Sequence, residues 1–307
     1  MSYTVAMPCR TDEPAVAVTL DCLAAAWGVT DTDQPRLVVC VNGDGPADAP
    51  VVTTLRQWAV QRGLQLDVLD LDQPHGAAPT FPSDVRILRT QRAGKANAWN
   101  HLRRACDTPL VLFLDADVTF APPVPGQLLA ALIAAPPATL ASARTQAHVR
   151  PTPFERIQAV PYQFPFGTLS PQLYAARTAR LPPAMPDDLL EPERWLELVV
   201  GAGAIVQAPG AIVTVRLPAT LADFFRQRVR IEQAKLQLCS EYPGLAARGR
   251  HPPAPTTIGQ HYQPSDLARL AVYAMLRATA RLIAHGRQAR GQTNVAWHQA
   301  RSTKQPY

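Results

Sequence analysis

Short apolar runs that alternate with helical patterns constrain the fold more than any other feature of this sequence. Five runs are typical of strands, at residues 3–7, 37–41, 64–71, 85–88 and 110–114, and apolar residues at helical spacing occur at 14–27, 51–62 and 95–106. The run Leu110–Leu114 is apolar at every position, as strands are when both faces of a sheet are covered. The order predicts an α/β fold with a parallel sheet flanked by helices.

The pattern changes after about Ala143. Proline-rich loops, a short apolar run at 173–176, the pair Asp187-Asp188 and an apolar stretch at 198–215 follow. Pro209-Gly210 in that stretch predicts two short strands around a turn. We interpret this half as part of the same domain and predict three parts: a domain at 1–240, a helical extension at 241–290 and a flexible tail at 291–307.

The formal charge of +6 limits the choice of partners. Lys and Arg number 30, against 24 Asp and Glu, and only Lys95, Lys235 and Lys304 are lysines. No basic block of the kind that marks a nucleic-acid-binding arm occurs in the sequence. The charge therefore argues against nucleic acid and favours phosphate-bearing small molecules or an anionic membrane surface.

The cysteines and the apolar runs indicate the compartment. Five cysteines without a CxxC pair argue against a disulfide framework and a zinc ribbon, and favour a reducing setting. Prolines interrupt the uncharged runs 118–143 and 198–215 before they reach the ~20 residues that a membrane span needs. Residues 1–10 lack a signal-peptide pattern. We expect a cytoplasmic protein, either free or associated with the inner face of the membrane.

Two acidic residues, Asp115 and Asp117, follow the most apolar strand. Ligands of open parallel sheets bind beyond the carboxyl ends of strands, where carboxylates suit Mg²⁺ or Mn²⁺. A strand-end turn capped by aspartate is the alternative. Earlier in the chain, Gly94 and Lys95 open a helical pattern, a place that favours anions, although an ordinary surface lysine would look the same.

Together with four further blocks in the same order, these residues give a sequence that resembles the family 2 glycosyltransferases of the GT-A type. Asp115-Ala116-Asp117 resembles the DXD motif of that family, and residues 94–100 resemble its GKxxAxN block. The other blocks are the opening strand and loop at 5–13, an acceptor-side segment at 167–177, an ED motif at 186–190 and a QxxRW block at 225–231. The resemblance covers roughly residues 3–235 and implies a GT-A fold with a mixed, mostly parallel sheet.

The resemblance also implies a role for each matching residue. Asp188 would be the general base toward the acceptor hydroxyl, and Arg230 would lie near the leaving diphosphate. Asp117 would be the main ligand of Mg²⁺ or Mn²⁺, and Asp115 would bind both the metal and the donor. The other donor contacts would be Pro8, Arg10, Glu13, Asn42, Asp44, Lys95, Gln227 and Arg228. A divalent ion and an arginine suit this chemistry because negative charge grows on the diphosphate as it leaves.

The implied activity is inverting, non-processive transfer of a sugar from a nucleotide-diphosphate donor, a UDP-sugar, to an acceptor hydroxyl. The acceptor would be a glycan, a lipid or a small molecule. Ile231 stands where the family often has an acceptor-binding tryptophan, which argues against a processive polysaccharide synthase. Asn42-Gly43-Asp44 replaces paired aspartates, so Asn42 and Asp44 are candidate base or ribose contacts.

Two other functions fit part of the sequence. Residues 112–119 also match the first motif of haloacid-dehalogenase-type phosphatases, in which Asp115 would be a nucleophile and Asp117 a general acid. That motif normally follows the first strand of its domain, whereas about four predicted strands precede it here. A non-catalytic nucleotide-sugar-binding protein is the second alternative.

Residues 267–285 form a basic amphipathic pattern. Arg269, Arg277 and Arg281 share one side of the helix, and the opposite side carries Val272, Met275, Leu276, Leu282 and Ile283. One interpretation is a helix that lies on an anionic membrane surface. The other is a helix that packs on the sheet with its arginines in solvent. Elsewhere, Tyr162 and Trp195 fit either an acceptor-stacking role or the core.

Overall fold

The computed structural model describes residues 2–28, 35–46, 48–73, 83–163, 169–248, 264–292 and Thr303. Within these residues the strands are β1 (Tyr3–Arg10), β2 (Arg36–Asn42), β3 (Leu66–Asp70), β4 (Val85–Thr90), β5 (Leu110–Leu114), β6 (Thr119–Phe120), β7 (Leu140–His148), β8 (Leu173–Arg177) and β9 (Ile205–Arg216). The helices are α1 (Val16–Trp27), α2 (Pro50–Gln61), α3 (Lys95–Ala105), α4 (Val124–Ala134), α5 (Pro153–Ala159), α6 (Pro192–Val200), α7 (Leu221–Glu241), α8 (Pro243–Arg248) and α9 (Pro264–Ala289).

The nine strands form one mixed sheet in the order β3-β4-β2-β1-β5-β8-β7-β9-β6. The strands from β3 to β5 are parallel, as the alternation of strands and helices predicts. Strand β8 is antiparallel to both of its neighbours, β7 and β9 are parallel, and β6 is antiparallel to β9 at the edge. The predicted mixed, mostly parallel sheet is confirmed.

Both faces of the sheet are covered, which explains why β5 is apolar throughout. Leu112 and Leu114 pack on the face that α1, α2 and α4 cover. Val111 and Phe113 pack on the face that α3 and α6 cover. Because successive strand residues point to opposite faces, an apolar residue is needed at every position.

Two predicted boundaries are wrong. Strand β1 continues beyond Met7 through Pro8 to Arg10, because β5 pairs with it only as far as Ala6. A proline is tolerated where one neighbour is missing. The two strands predicted around Pro209-Gly210 are a single strand, β9, preceded by the end of α6. Ala143 pairs with Ala208 and the next residue pairs with Ile212, so the proline and glycine lie in a bulge instead of a turn.

The last long helices pack on each other. Helix α9 lies mainly against α7 and α5, so it packs on the domain through these helices. Within the part of the chain that the structure describes, no helix combines the length and the apolar character that a membrane crossing requires.

Candidate active site

A cavity of about 270 Å³ opens where the parallel strands β1 and β5 end. This is the edge at which open α/β sheets bind ligands. Charged side chains dominate its described lining, which also includes Pro8 and Gln227. The six carboxylates are Glu13, Asp115, Asp117, Asp187, Glu191 and Glu193, and the four cations are Arg10, Lys95, Arg216 and Arg230.

Lys95 is held at the centre of this charge cluster. As the first residue of α3, it extends to Asp115 at the end of β5, with Nζ 2.7 Å from Oδ1. The same Nζ lies 2.8 Å from Oε1 of Glu193 and donates to the carbonyl of Pro171 at 3.0 Å. Burial alone would lower the pKa of Lys95, but the two carboxylates outweigh it and raise the pKa above its usual range. The lysine is therefore a fixed cation beside Asp115.

Asp115 carries less charge compensation than this pairing suggests. Burial raises its pKa, Lys95 lowers it, and the negative charges of Asp117 and Glu193 raise it again. The result is a pKa raised to about 7. Two neighbouring carboxylates that repel each other in a buried setting form a site that a further cation would stabilise.

Gly94 and Asn42 fix the loop that precedes Lys95. Gly94 has φ of 139°, a conformation that side-chain-bearing residues rarely adopt, and its N–H donates to Oδ1 of Asn42 at 3.1 Å. The Nδ2 of Asn42 donates to the carbonyl of Cys9 at 2.9 Å. Asn42 is only 2% exposed and is not among the lining residues. Its side chain joins the ends of β1 and β2 to the start of α3.

Asn100, the last residue of the GKxxAxN-like block, binds a residue that lines the cavity. The Nδ2 of this buried residue donates to the carbonyl of Met185 at 2.8 Å and to Oδ1 of Asp187 at 2.6 Å, and its Oδ1 accepts from the N–H of Met185 at 2.9 Å. Arg92 also pairs with Asp187, with Nη1 2.7 Å from Oδ2. The carboxylate of Asp187 thus has a charged and a neutral donor.

Two lining glutamates, Glu191 and Glu193, were missed from the sequence. They flank Pro192, the first residue of α6, and a proline at the first helical position is a sequence signal that could have located them. Burial and then the charge of Glu193 raise the pKa of Glu191. Among the described residues, no hydrogen bond or ion pair to the Glu191 carboxylate is found. It is a carboxylate with free lone pairs at the cavity wall.

Asp188 lies elsewhere. Its residue is exposed and is not among those lining the cavity, its carbonyl accepts from Nε2 of Gln237 at 3.1 Å, and its charge acts on Tyr242. Residues 187–188 form a turn, and α6 begins only at Pro192. Asp44 is exposed and outside the lining too.

Two arginines of helix α7, Arg228 and Arg230, point to opposite sides of the helix. Arg230 and Gln227 line the cavity. Burial lowers the pKa of Arg230, although Glu191 and Glu193 act in the opposite direction. Arg228 faces α9 instead, with its guanidinium carbon 5.6 Å from the ring centre of Phe224 and 5.5 Å from that of Tyr273. The structure therefore does not bring Arg228 to the cavity.

The remaining wall comes from residues far apart in the chain. Tyr162, Gln172, Arg216 and Thr303 line it, of which only Tyr162 was considered from the sequence. Thr303, in the segment predicted to be a flexible tail, is 9% exposed. Trp195 packs in the core with α3 and α6, so it is not a stacking platform. The acceptor-side residues Gly167 and Thr168 lie outside the described residues.

A family model described as glycosyl transferase family 2 matches residues 4–188, more than half of the chain. The chain belongs to glycosyl transferase family 2. The match includes β5 with Asp115 and Asp117, and it ends before Glu191, Glu193 and α7. A search of curated proteins finds no match.

Three solved structures are similar to this glycosyltransferase, and the first of them shares its fold. The mannosyltransferase PcManGT from Pyrobaculum calidifontis, solved with GDP-Man and Mn²⁺, is 18% identical and covers 95% of this chain and 75% of its own, with a TM-score of 0.55. TarS from S. aureus, residues 1–349 with UDP-GlcNAc, is 13% identical over 96% of this chain and 93% of its own, with a TM-score of 0.47. Glucosyl-3-phosphoglycerate synthase from Mycobacterium tuberculosis, with Mn²⁺, UDP-Glc and glycerol 3-phosphate, is 16% identical over 78% and 79%, at 0.47.

Membership of this glycosyltransferase family removes the phosphatase alternative. Strand β5, which carries Asp115, is the fifth strand of its sheet along the chain and not the first. Family and fold agree with the GT-A type predicted from the sequence blocks.

Proposed function

We propose that this glycosyltransferase performs metal-dependent, inverting and non-processive transfer of a sugar from a UDP-sugar to an acceptor hydroxyl. The observation that carries the proposal is the position of Asp115 and Asp117 beyond β5, in a cavity that also contains Lys95 and Arg230. The two carboxylates would bind the metal ion, and the two cations would lie near the diphosphate of the donor.

The donor set fits Mg²⁺ or Mn²⁺. Within the described residues, no group of three or more His, Cys, Asp or Glu side chains could hold a metal ion. Such ions usually bind one or two carboxylates and take the rest of their shell from water and substrate phosphates. Asp117 and Asp115 would hold the ion. Burial and then the charge of Asp117 raise the pKa of Asp115, and the positive charge of the ion would offset both effects. When bound, the ion would offset charge on the leaving diphosphate.

Arg230 and Lys95 are the cations that would lie near the negative charge of the leaving diphosphate. Arg230 is half-buried and free to reach a diphosphate, since no hydrogen bond or ion pair of its guanidinium is found in the part of the chain described. Lys95 is locked between Asp115 and Glu193, so it positions Asp115. Preorganised charges of this kind give the largest single contribution in many enzymes.

We assign the general base to Glu191 in place of Asp188. The carboxylate must face the cavity, which all six lining carboxylates do. Asp115 and Asp117 would hold the metal, and Glu13 accepts from a backbone N–H at 3.1 Å. Asp187 is occupied by two donors and Glu193 by Lys95. Glu191 is left, and its raised pKa makes it a stronger base than an ordinary carboxylate.

The nucleotide is proposed from the family resemblance alone. PcManGT was solved with GDP-Man, so GDP is the competing donor class.

We propose a cytoplasmic location on separate grounds, because the described cysteines Cys9, Cys22, Cys40, Cys106 and Cys239 are all free, as in reducing compartments.

The proposal is tested by thermal unfolding of the full chain with UDP, GDP and inorganic phosphate, each with and without Mn²⁺. We expect UDP with Mn²⁺ to raise the Tm by several degrees, since a ligand at one hundred times its Kd adds about 2.7 kcal/mol. Asp117→Asn should abolish the part of the shift that requires Mn²⁺. Asp21→Asn, which changes an exposed carboxylate of α1, is the matched control and should retain it.

The results separate the parts of the proposal. A shift with GDP and none with UDP would replace the donor class, and no shift with either would contradict the donor site. A product NMR spectrum in which the anomeric configuration of the donor is retained would contradict inversion.

A further inference from the structure

Helix α9 has one side packed against the protein. Tyr273 is 5% exposed, and Ala280 and Ala284 are fully buried. Tyr273 contacts the ring of Phe224 and the guanidinium of Arg228, both on α7. The helix is thus anchored by its small and aromatic residues, and its orientation is fixed.

The opposite side of α9 is apolar and exposed. Leu267 is 54% exposed, Met275 is 62% and Leu282 is 73%. Ala271 and Ala278, which lie between them, are exposed as well. With 100° per residue, these five positions fall within about 80° of the circumference. Scattered exposed apolar residues are ordinary, but a continuous row along a helix marks an interaction site.

The arginines of α9 divide into two groups. Arg269 pairs with Asp266 at 2.9 Å, and Arg277 reaches Glu232 of α7 at 3.4 Å. Burial alone would raise the pKa of Glu232, but hydrogen bonds and charge from Lys235 and Arg277 lower it. These two arginines therefore form ion pairs within the protein, and they are not the membrane-facing group that the sequence pattern suggests.

The second group is free. Arg281 and Arg287 of α9, and Arg290 just beyond it, are exposed and form no ion pair with the other described residues. At 100° per residue Arg287 falls on the packed side of the helix, so it does not belong to the exposed face. Arg281 flanks the apolar row directly. The only acidic residue of α9, Asp266, is already paired. The exposed side of the helix therefore combines apolar side chains with uncompensated positive charge.

We propose that this side of α9 docks on a lipid bilayer that contains anionic lipids. The row of Leu267, Met275 and Leu282 would enter the headgroup region, and Arg281 beside it would meet the anionic headgroups. A second copy of the chain is a poorer occupant, because two such faces would bring like charges together without an acidic partner. The inference does not depend on the donor or on the base assigned above.

The test is flotation of the full chain with vesicles of phosphatidylcholine containing 30% phosphatidylglycerol, against phosphatidylcholine alone. We expect binding to the anionic vesicles only, weakened by about fivefold for each arginine contact that salt screens. The double variant Met275→Glu/Leu282→Glu should bind at least tenfold more weakly. Val60→Glu/Ile133→Glu, which changes exposed apolar residues on α2 and α4, is the matched control and should bind like the wild type.

Four outcomes would overturn the proposal. They are no flotation of the wild type, an equal loss in the control variant, a dimer in light scattering that the α9 variant dissociates, and a Tm several degrees lower in the α9 variant. The third would make the face an interface between copies, and the fourth would mean that the chain itself covers it. The Mn²⁺-dependent nucleotide shift, measured on the same variants, should be unchanged, which separates a failure here from a failure of the donor site.

Discussion

Glu191 and Asp188 are three residues apart, but they differ in surroundings. Replacing Glu191 with Gln should lower kcat by roughly 10²–10⁴-fold, the usual contribution of a general base. Asp188→Asn, which changes an exposed carboxylate outside the cavity, should lower kcat less than tenfold. A loss in Asp188→Asn equal to that in Glu191→Gln would restore the base expected from the sequence.

The pH dependence of the rate follows from the direction of the Glu191 pKa. Burial and the charge of Glu193 raise this pKa above its ordinary value of 4.5. Because a base acts when deprotonated, the rate should fall as the pH drops through the raised pKa. The acidic limb of kcat against pH should therefore lie above pH 4.5 in the wild type and be absent in Glu191→Gln. An unchanged limb in the variant would assign the titration to another group.

Single residues also show what a local pattern can predict. Asp115, Asp117 and Lys95 were found because each stands beside a strand end or a helix start, and those positions follow from periodicity. Glu191 was missed because Asp187-Asp188 offers a similar acidic pair four residues earlier. Asp187, Glu191 and Glu193 line the cavity, whereas Asp188 does not. Pro192 signals the start of α6, but the bond from Gln237 to the carbonyl of Asp188 is not visible in the sequence.

At the scale of elements, α7 separates two functions by its two sides. Residues two apart on a helix point about 200° apart, so a motif that contains both Arg228 and Arg230 cannot place both in one cavity. Arg230 lines the cavity, whereas Arg228 stacks on Phe224 and Tyr273. Sequence blocks fix the helix, but the partner of each side is known only from the packing of α9.

This division gives a paired prediction. Arg230→Ala should lower kcat by roughly 10²–10³-fold, as expected for the loss of one charge that stabilises the leaving group, with little change in Tm. Arg228→Ala should lower the free energy of unfolding by about 1–2 kcal/mol, because contacts with two rings are lost. Steady-state kinetics and urea unfolding of both variants measure the two effects. The opposite pattern would mean that the sequence motif places these arginines better than the structure does.

Over the whole molecule, the sheet was more predictable than its second half. Helices α1, α2 and α3 lie between the parallel strands β1 to β5 along the chain, and this alternation reveals the α/β class. The antiparallel β8, inserted between β5 and β7, and the bulge in β9 are non-local features. A strand's neighbours across long loops are set by the packing of the entire sheet, and no periodicity encodes them.

The cavity wall has a consequence for how the molecule acquires its activity. Asp115 pairs with Lys95, twenty residues earlier, which also pairs with Glu193, and the backbone N–H of Asp115 donates to the carbonyl of Gln172. Contacts over such separations form late, since long loops must close first. On dilution from urea, far-UV circular dichroism should therefore recover before Mn²⁺-dependent nucleotide binding. Equal rates for the two signals would contradict this order.

During synthesis the same geometry imposes a waiting time. A nascent chain that ends at Asp188 already contains Asp115 and Asp117. It lacks Glu193, which pairs with Lys95, and Arg230, which lines the cavity. The negative charges of the cavity would then be present without their full complement of partners. We therefore expect the chain to transfer sugar only after α7 has been synthesised and has packed.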